Sequence, residues 1–126
     1  MTGYLAPTKK VRVADFARRK AAGEKWAMLT AYDYATARVF AQAGIECLLV
    51  GDSAANVVYG YDTTSQVSVD EMAFLGAAVV RGAGNALVIM DLPFGSYEAS
   101  DEQCVRTATD LVRRTGAHMV KLEGGV

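Results

Sequence analysis

Apolar residues along the chain fall into short continuous runs separated by segments with helical spacing. Trp26-Ala-Met-Leu-Thr-Ala31, Ile45-Glu-Cys-Leu-Leu-Val50, Ala86-Leu-Val-Ile-Met90 and Ala117 to Leu122 read as four strands. Continuous apolar runs predict strands buried on both faces, as in a parallel sheet. Between them lie helical patterns. Val11, Val13, Phe16 and Ala17 give a modest apolar face for a helix that stops near Gly23. Asp33 is the N-cap expected for a second helix through Val39, Phe40 and Ala43, ended by Gly44. A third helix is predicted from about Val69 to Arg81. A fourth runs from about Asp101 to Thr115, with Val105, Ala108, Leu111 and Val112 on one face. Residues 1–8 read as a loose arm, and 54–68 as a polar, glycine-bearing connection.

Strands alternating with helices imply right-handed βαβ units and one domain over residues 1–126. The chain ends on a strand with no helix to cover it, as expected for the first half of a (β/α)8 barrel, whose usual length is about 250 residues. A small doubly wound sheet is the alternative, and periodicity does not choose between them.

Composition narrows the function classes. Lys+Arg number 13 and Asp+Glu 14, for a formal charge of −1, which removes the broad electrostatic drive toward nucleic acid or an anionic membrane. No apolar run is long enough to span a bilayer. Cys47 and Cys104 lie in unrelated segments, so neither a disulfide framework nor a CxxC site is indicated, and the expected compartment is the reducing cytoplasm. One histidine, His118, leaves any metal to carboxylates. Its place at the start of the fourth strand, facing opposite to Lys121, predicts a structural role. Cys47 is expected in the core. Gly82-Ala-Gly84 precedes a strand instead of following one, so it is no dinucleotide fingerprint.

The carboxyl ends of parallel strands form the ligand-binding edge of such folds. Asp52 follows strand two, Asp91 strand three and Glu123 strand four, with Ser53 beside the first. Strand alternation puts Lys121 on the same side as Glu123. Singly, each acid is as well explained by a helix cap or turn. Together, three like charges repel unless a cation neutralises them. All-oxygen donors point to a hard cation, Mg²⁺ first, with two direct contacts and one through water. These residues are expected at the rim, outside the packed core. The tyrosines Tyr32, Tyr34, Tyr59, Tyr61 and Tyr97 fall mostly near loops, as a pocket lining or an oligomer contact would.

The segments Thr30-Ala-Tyr-Asp33, Val50-Gly-Asp-Ser53, Tyr59-Gly-Tyr-Asp-Thr-Thr64, Asp91-Leu-Pro-Phe94 and Val120-Lys-Leu-Glu-Gly-Gly125 occur in the order and spacing of the ketopantoate hydroxymethyltransferase family, which the chain resembles from about Val11 to its last residue. The resemblance implies a TIM barrel of the phosphoenolpyruvate/pyruvate type, about twice this length, of which the chain covers the N-terminal half. It also implies a cytoplasmic homo-oligomer, typically a decamer, of pantothenate biosynthesis. The implied reaction moves a one-carbon unit from 5,10-methylenetetrahydrofolate to 3-methyl-2-oxobutanoate. By motif, Asp52, Asp91 and Glu123 match the Mg²⁺-site acids, and Asp52, Ser53, Asp91 and Lys121 the positions that touch the oxo acid. The family's general base is a glutamate on a later strand, beyond Val126. Ala54-Ala-Asn56 stands where many members have Leu-Gly-Met. Ser65-Gln66 replaces a usual Xaa-Pro pair, which predicts a looser loop. The rivals are a related lyase or mutase on another 2-oxo acid, an inactive half-barrel that only binds or assembles, and a doubly wound phosphate-binding domain.

Overall fold

The structure, a computed structural model, describes residues 5–124. Four strands, β1 (Met28–Thr30), β2 (Cys47–Val50), β3 (Leu87–Asp91) and β4 (Met119–Lys121), pair in parallel in the order β1-β2-β3-β4. Each strand lies beside its sequence neighbour, so the sheet has no reversal of strand order. That excludes the doubly wound alternative, whose ligand crevice depends on such a reversal. It is the winding of a barrel.

The helices are α1 (Val13–Ala21), α2 (Tyr34–Gln42), α3 (Ala54–Val57), α4 (Val69–Gly82) and α5 (Asp101–Thr115). Their ends follow local chemistry. Asp33 caps α2 by accepting the Thr36 N–H at 2.8 Å, as predicted. Ser68 and Glu71 form a reciprocal capping box at the start of α4. Gly116, at φ +78°, closes α5 in a left-handed conformation that a side chain disfavours.

The two faces of the sheet bury different residues. Leu48, Val50, Val88 and Met90 point toward the helices and join Ala37, Ala41, Met72, Ala73, Val79 and Leu111 in the main core. Cys47 and Leu87 point the other way and pack under Val11 and Phe16, so α1 and the segment before it close the lower end of the inner face. Cys47 is a core residue, as expected, and burial raises its thiol to about 11.

Several expectations need correction. The arm is not loose where it is described: Asn85 donates its side-chain N–H to the Pro7 carbonyl at 2.8 Å, and the Val11 N–H bonds the Asn85 carbonyl at 2.9 Å. Residues 1–4 of that arm, and Gly125 of the last motif, lie outside the described residues. Val11 precedes α1 and is buried in extended chain instead of on a helix face. β1 is shorter than its apolar run and exposed at all three positions, because it is an edge with one neighbour. The connection 54–68 contains α3 and a single 3₁₀ turn at Thr64–Gln66. That turn is held where a loosened loop was expected. The Gln66 side-chain oxygen accepts the Thr63 N–H at 3.1 Å, and the Thr63 and Ser65 hydroxyls lie 2.6 Å apart. Ser65-Gln66 therefore brings hydrogen bonds that an Xaa-Pro pair could not make.

His118 has the structural role expected of it. Its backbone N–H bonds the Val88 carbonyl at 2.9 Å, and its Nδ1 accepts the Val88 N–H at 3.0 Å, extending the β3–β4 ladder by one side chain. Burial holds its pKa below the ordinary imidazole value, and the Lys10 ammonium adds to this. An Nδ1 that accepts a hydrogen bond must also be unprotonated. As pH falls, the unfolded chain takes up a proton near its ordinary value of about 6.5 while the folded chain resists it. Stability is thus full above that value and declines below it. Urea midpoints for the wild type should fall between pH 7.5 and 5.5, whereas His118→Asn, which keeps an acceptor near Nδ1, should show a flatter profile. Equal slopes for the two proteins would refute the assignment. His118→Ala, which orphans the buried Val88 N–H, should cost about 1–3 kcal/mol at neutral pH.

Candidate functional site

The upper end of the inner face carries the polar residues. In register, Asp91 of β3 lies beside Lys121 of β4. The pairing sets their side chains side by side, and Lys121 Nζ donates to Asp91 Oδ1 at 2.8 Å. Two residues on, Glu123 returns to the same side, and its Oε1 accepts from Lys121 Nζ at 2.6 Å. The other Asp91 oxygen, Oδ2, accepts the Asp52 backbone N–H at 2.9 Å, tying the end of β2 to that of β3. Asp52, Asp91, Lys121 and Glu123 thus form one connected group. The predicted rim position holds for Glu123, which is exposed, but not for Asp91, which is 4% exposed and the last residue of its strand.

Ser53 joins the group from the β2–α3 turn. Its Oγ lies 2.7 Å from the Tyr32 hydroxyl. Gly51 sits between: a Cβ there would lie 2.9 Å from Ser53 Oγ and 3.5 Å from Asp91 Oδ2. Gly51 does not have a positive φ, so its backbone does not demand glycine. What it provides is close approach: without a Cβ, the buried backbone of Gly51 can lie against both the serine hydroxyl and the Asp91 carboxylate.

The charges are unevenly compensated. Burial works against the Lys121 charge, but its hydrogen bonds to Asp91 and Glu123 outweigh that and hold the ammonium above its ordinary pKa. The same contact holds Glu123 below the usual carboxylate range. Asp52 is the opposite case. Burial raises its pKa first, the negative charges of Asp91 and Glu123 raise it further, and Lys121 and the Thr64 hydroxyl only partly offset them. An ionised Asp52 is the group that an added cation would relieve.

Among the described residues, no three His, Cys, Asp or Glu side chains stand together as a metal cage, since Lys121 lies against both Asp91 and Glu123. The donor set still fits Mg²⁺ in a restricted form. Asp52 and Asp91, whose carboxylates feel each other's charge, offer hard oxygen donors, and Mg²⁺ characteristically uses one or two carboxylates and keeps its waters. Glu123 stands one step further off, behind the ammonium.

Sequence pattern alone assigned no role to the hydroxyls that hold this site. Tyr32 reaches Ser53 from the loop after β1. Tyr97, in the β3–α5 loop, accepts the Gly124 N–H at 2.7 Å and so fixes the segment just after Glu123. Tyr61 hydrogen-bonds the Glu71 carboxylate, and Tyr59 donates to the Glu71 carbonyl at 3.1 Å. These bonds anchor on α4 the loop that carries Thr64. Burial, then the Glu71 charge, raises the Tyr59 pKa, and the Tyr61–Glu71 bond holds the Glu71 carboxylate below its usual range. Tyr34, by contrast, is exposed on α2 and pairs only locally, with Arg38 at 3.3 Å. The signal that could have found the others is position: each sits one to a few residues beyond a strand end or in the long β2–α4 connection.

A family model described as ketopantoate hydroxymethyltransferase matches residues 10–126. The chain belongs to the ketopantoate hydroxymethyltransferase family. Within it, a 3-methyl-2-oxobutanoate hydroxymethyltransferase of Corynebacterium jeikeium (strain K411) is 69% identical over 125 residues, which are 99% of this chain and 44% of that protein. A protein of the same name from Corynebacterium diphtheriae is 65% identical over 119 residues, 94% of this chain and 45% of its own length. The chain therefore spans less than half the length of these ketopantoate hydroxymethyltransferase relatives. Among solved structures, a 2,3-dimethylmalate lyase of the PEP mutase/isocitrate lyase superfamily aligns with a TM-score of 0.65 at 23% identity, over 92% of this chain and 41% of that one. A phosphonopyruvate hydrolase in complex with oxalate and Mg²⁺ aligns at 0.67 and 13% identity, over 87% and 38%. Both are likenesses of fold alone: the four parallel strands of this family member and the helices between them align with about two fifths of each of those chains.

Proposed function

We propose that the chain supplies the metal- and oxo-acid-binding half of a 3-methyl-2-oxobutanoate hydroxymethyltransferase. The whole reaction transfers a hydroxymethyl group from 5,10-methylenetetrahydrofolate to 3-methyl-2-oxobutanoate, giving 2-dehydropantoate for pantothenate biosynthesis in a cytoplasmic homo-oligomer. One observation carries this reading: Asp52, Ser53, Asp91, Lys121 and Glu123, from three strand ends, converge about Gly51, whose missing side chain lets the serine hydroxyl and the Asp91 carboxylate come close. The names of the close relatives support the substrate. The phosphonopyruvate hydrolase of like fold holds oxalate, a small dicarboxylate, with Mg²⁺.

In this reading Asp52 and Asp91 would hold the Mg²⁺, and Glu123 would act on it indirectly. The bound ion supplies Lewis acidity that polarises the 2-oxo group and makes the C3 proton removable. The Ser53 hydroxyl donates to the substrate carboxylate. Lys121 supplies positive charge where negative charge develops on the substrate oxygen, and its bonds to Asp91 and Glu123 keep it protonated for that task. The register pairing of Asp91 with Lys121 fixes anion and cation relative to one another before any ligand arrives.

Calorimetric titration of the purified protein with 3-methyl-2-oxobutanoate, with and without Mg²⁺, tests the reading. Binding should require Mg²⁺. Lys121→Ala should weaken oxo-acid binding about 10–100-fold, the value of one charge-assisted hydrogen bond of roughly 1.5–3 kcal/mol. Its Mg²⁺ affinity should hold or rise, because removing the ammonium leaves the carboxylates less neutralised. Metal-independent binding, or an unchanged affinity in Lys121→Ala, would sink it.

A further inference from the structure

The Tyr32–Ser53 contact joins two uncharged side chains, each of which can donate or accept. The two oxygens are 2.7 Å apart, so one of them must give its proton to the other. That choice decides what Ser53 can do. If serine donates to the tyrosine, its only proton is turned away from any bound ligand, and its oxygen offers lone pairs to an incoming anion. If tyrosine donates, the serine proton is free. A phenol is the stronger donor and an alkyl hydroxyl the stronger acceptor, which favours the second arrangement.

Two further features agree with it. Ser53 precedes α3 but makes no side-chain cap on that helix, so its hydroxyl is not spent on the backbone N–H groups that a serine in that position commonly serves. Gly51 lies against the same hydroxyl, at a position where the backbone does not require glycine, so no Cβ crowds the serine oxygen on that side. Any side chain there would meet Ser53 Oγ first, at 2.9 Å. Tyr32 itself is half-buried against the main core and stands two residues beyond the end of β1, where its ring is held by packing. Its hydroxyl is thus presented from a fixed direction.

We propose that Tyr32 is a positioning residue: it donates its phenolic proton to Ser53 Oγ and so commits the Ser53 proton to a carboxylate group on the bound ligand. The role rests on the oxo-acid reading above and deepens it. Tyr32 does not touch the ligand carboxylate. It acts by removing the alternative in which a serine lone pair faces an anion, and by polarising the serine O–H that remains.

A double-mutant cycle decides the matter. Binding of 3-methyl-2-oxobutanoate in the presence of Mg²⁺ is measured by calorimetry for the wild type, Tyr32→Phe, Ser53→Ala and the double variant. Tyr32→Phe keeps the ring and its packing, so urea midpoints should stay close to the wild type. Affinity should fall about 3–10-fold in Tyr32→Phe, and about tenfold in Ser53→Ala. In the Ser53→Ala background, Tyr32→Phe should have no further effect, because the hydroxyl it acts through is gone. Equal losses from Tyr32→Phe in both backgrounds, or no loss in either, would overturn the positioning role while leaving the oxo-acid reading intact. Failure of Tyr32→Phe to fold would give the hydroxyl a structural role and overturn the proposal as well. A wild type that binds no oxo acid would reject the underlying reading, and the proposal with it.

Discussion

Asp91→Ala is expected to lose Mg²⁺-dependent oxo-acid binding and to destabilise the fold, whereas Asp52→Ala should lose the binding alone. The two aspartates are equivalent by position, each at a strand end on the same edge of the sheet, but not by environment. Asp91 is buried and both of its oxygens are engaged, Oδ1 by the Lys121 ammonium and Oδ2 by the Asp52 N–H. Truncation strips a half-buried ammonium of its less exposed partner and leaves a backbone donor without an acceptor. Groups orphaned in this way cost about 1–3 kcal/mol. Asp52 is opposed by Asp91 and Glu123, so removing its charge relieves repulsion, and its stability change should be near zero or favourable. Binding should weaken on the order of 100-fold or more in both variants, beyond the effect of disturbing a residue that merely orients a metal ligand. Urea unfolding at pH 7 and calorimetry with Mg²⁺ and oxo acid give both readouts. Near-normal binding in Asp91→Ala removes that residue from the metal site. A stability loss no greater than that of Asp52→Ala would show that its buried hydrogen bonds contribute nothing.

The contrast between these aspartates marks what sequence pattern can and cannot convey. That Asp52, Asp91, Lys121 and Glu123 share one edge followed from strand alternation and from the rule that parallel strands present their carboxyl ends to ligands. The register that sets Asp91 beside Lys121 was not legible, because it depends on how far each helix carries the chain before the next strand begins. Nor was the burial of Asp91, since a residue at a strand end is inside or outside according to the loops folded over it. The same limit explains β1. Its apolar run read as a buried strand, yet burial belongs to neighbours, and this edge has only one.

Caps and stops were more legible. Gly23 after α1, Asp33 before α2 and Gly44 after it act within a few residues of chain, where the causes of the geometry are local. The tyrosines show the other extreme. Tyr32 and Ser53 are 21 positions apart, and Tyr97 and Gly124 are 27 apart. No periodicity links such pairs. They meet because successive βα units deliver successive loops to one edge, so the chemistry-bearing residues are readable from their place on the strands while the hydroxyls that orient them emerge only from the assembled edge.

The 126-residue protein alone is expected not to accelerate exchange of the C3 proton of 3-methyl-2-oxobutanoate beyond what Mg²⁺ achieves in solution. Removing that proton at an enzymatic rate needs a positioned base, typically worth 10²–10⁴-fold. Each acid at this site is otherwise engaged. Asp91 accepts hydrogen bonds at both oxygens. Glu123 is held by Lys121 below the usual carboxylate range, which makes it a poor proton acceptor. Asp52 has the raised pKa that a base requires, but in the proposed arrangement its lone pairs go to the metal. Deuterium exchange followed by NMR, with protein and Mg²⁺ against Mg²⁺ alone, measures the rate directly. A rate 100-fold above the metal background would contradict the expectation. If that rate were lost in Asp52→Asn while Mg²⁺ binding persisted, Asp52 would be the base, and the metal would have to be held by Asp91 and Glu123 instead.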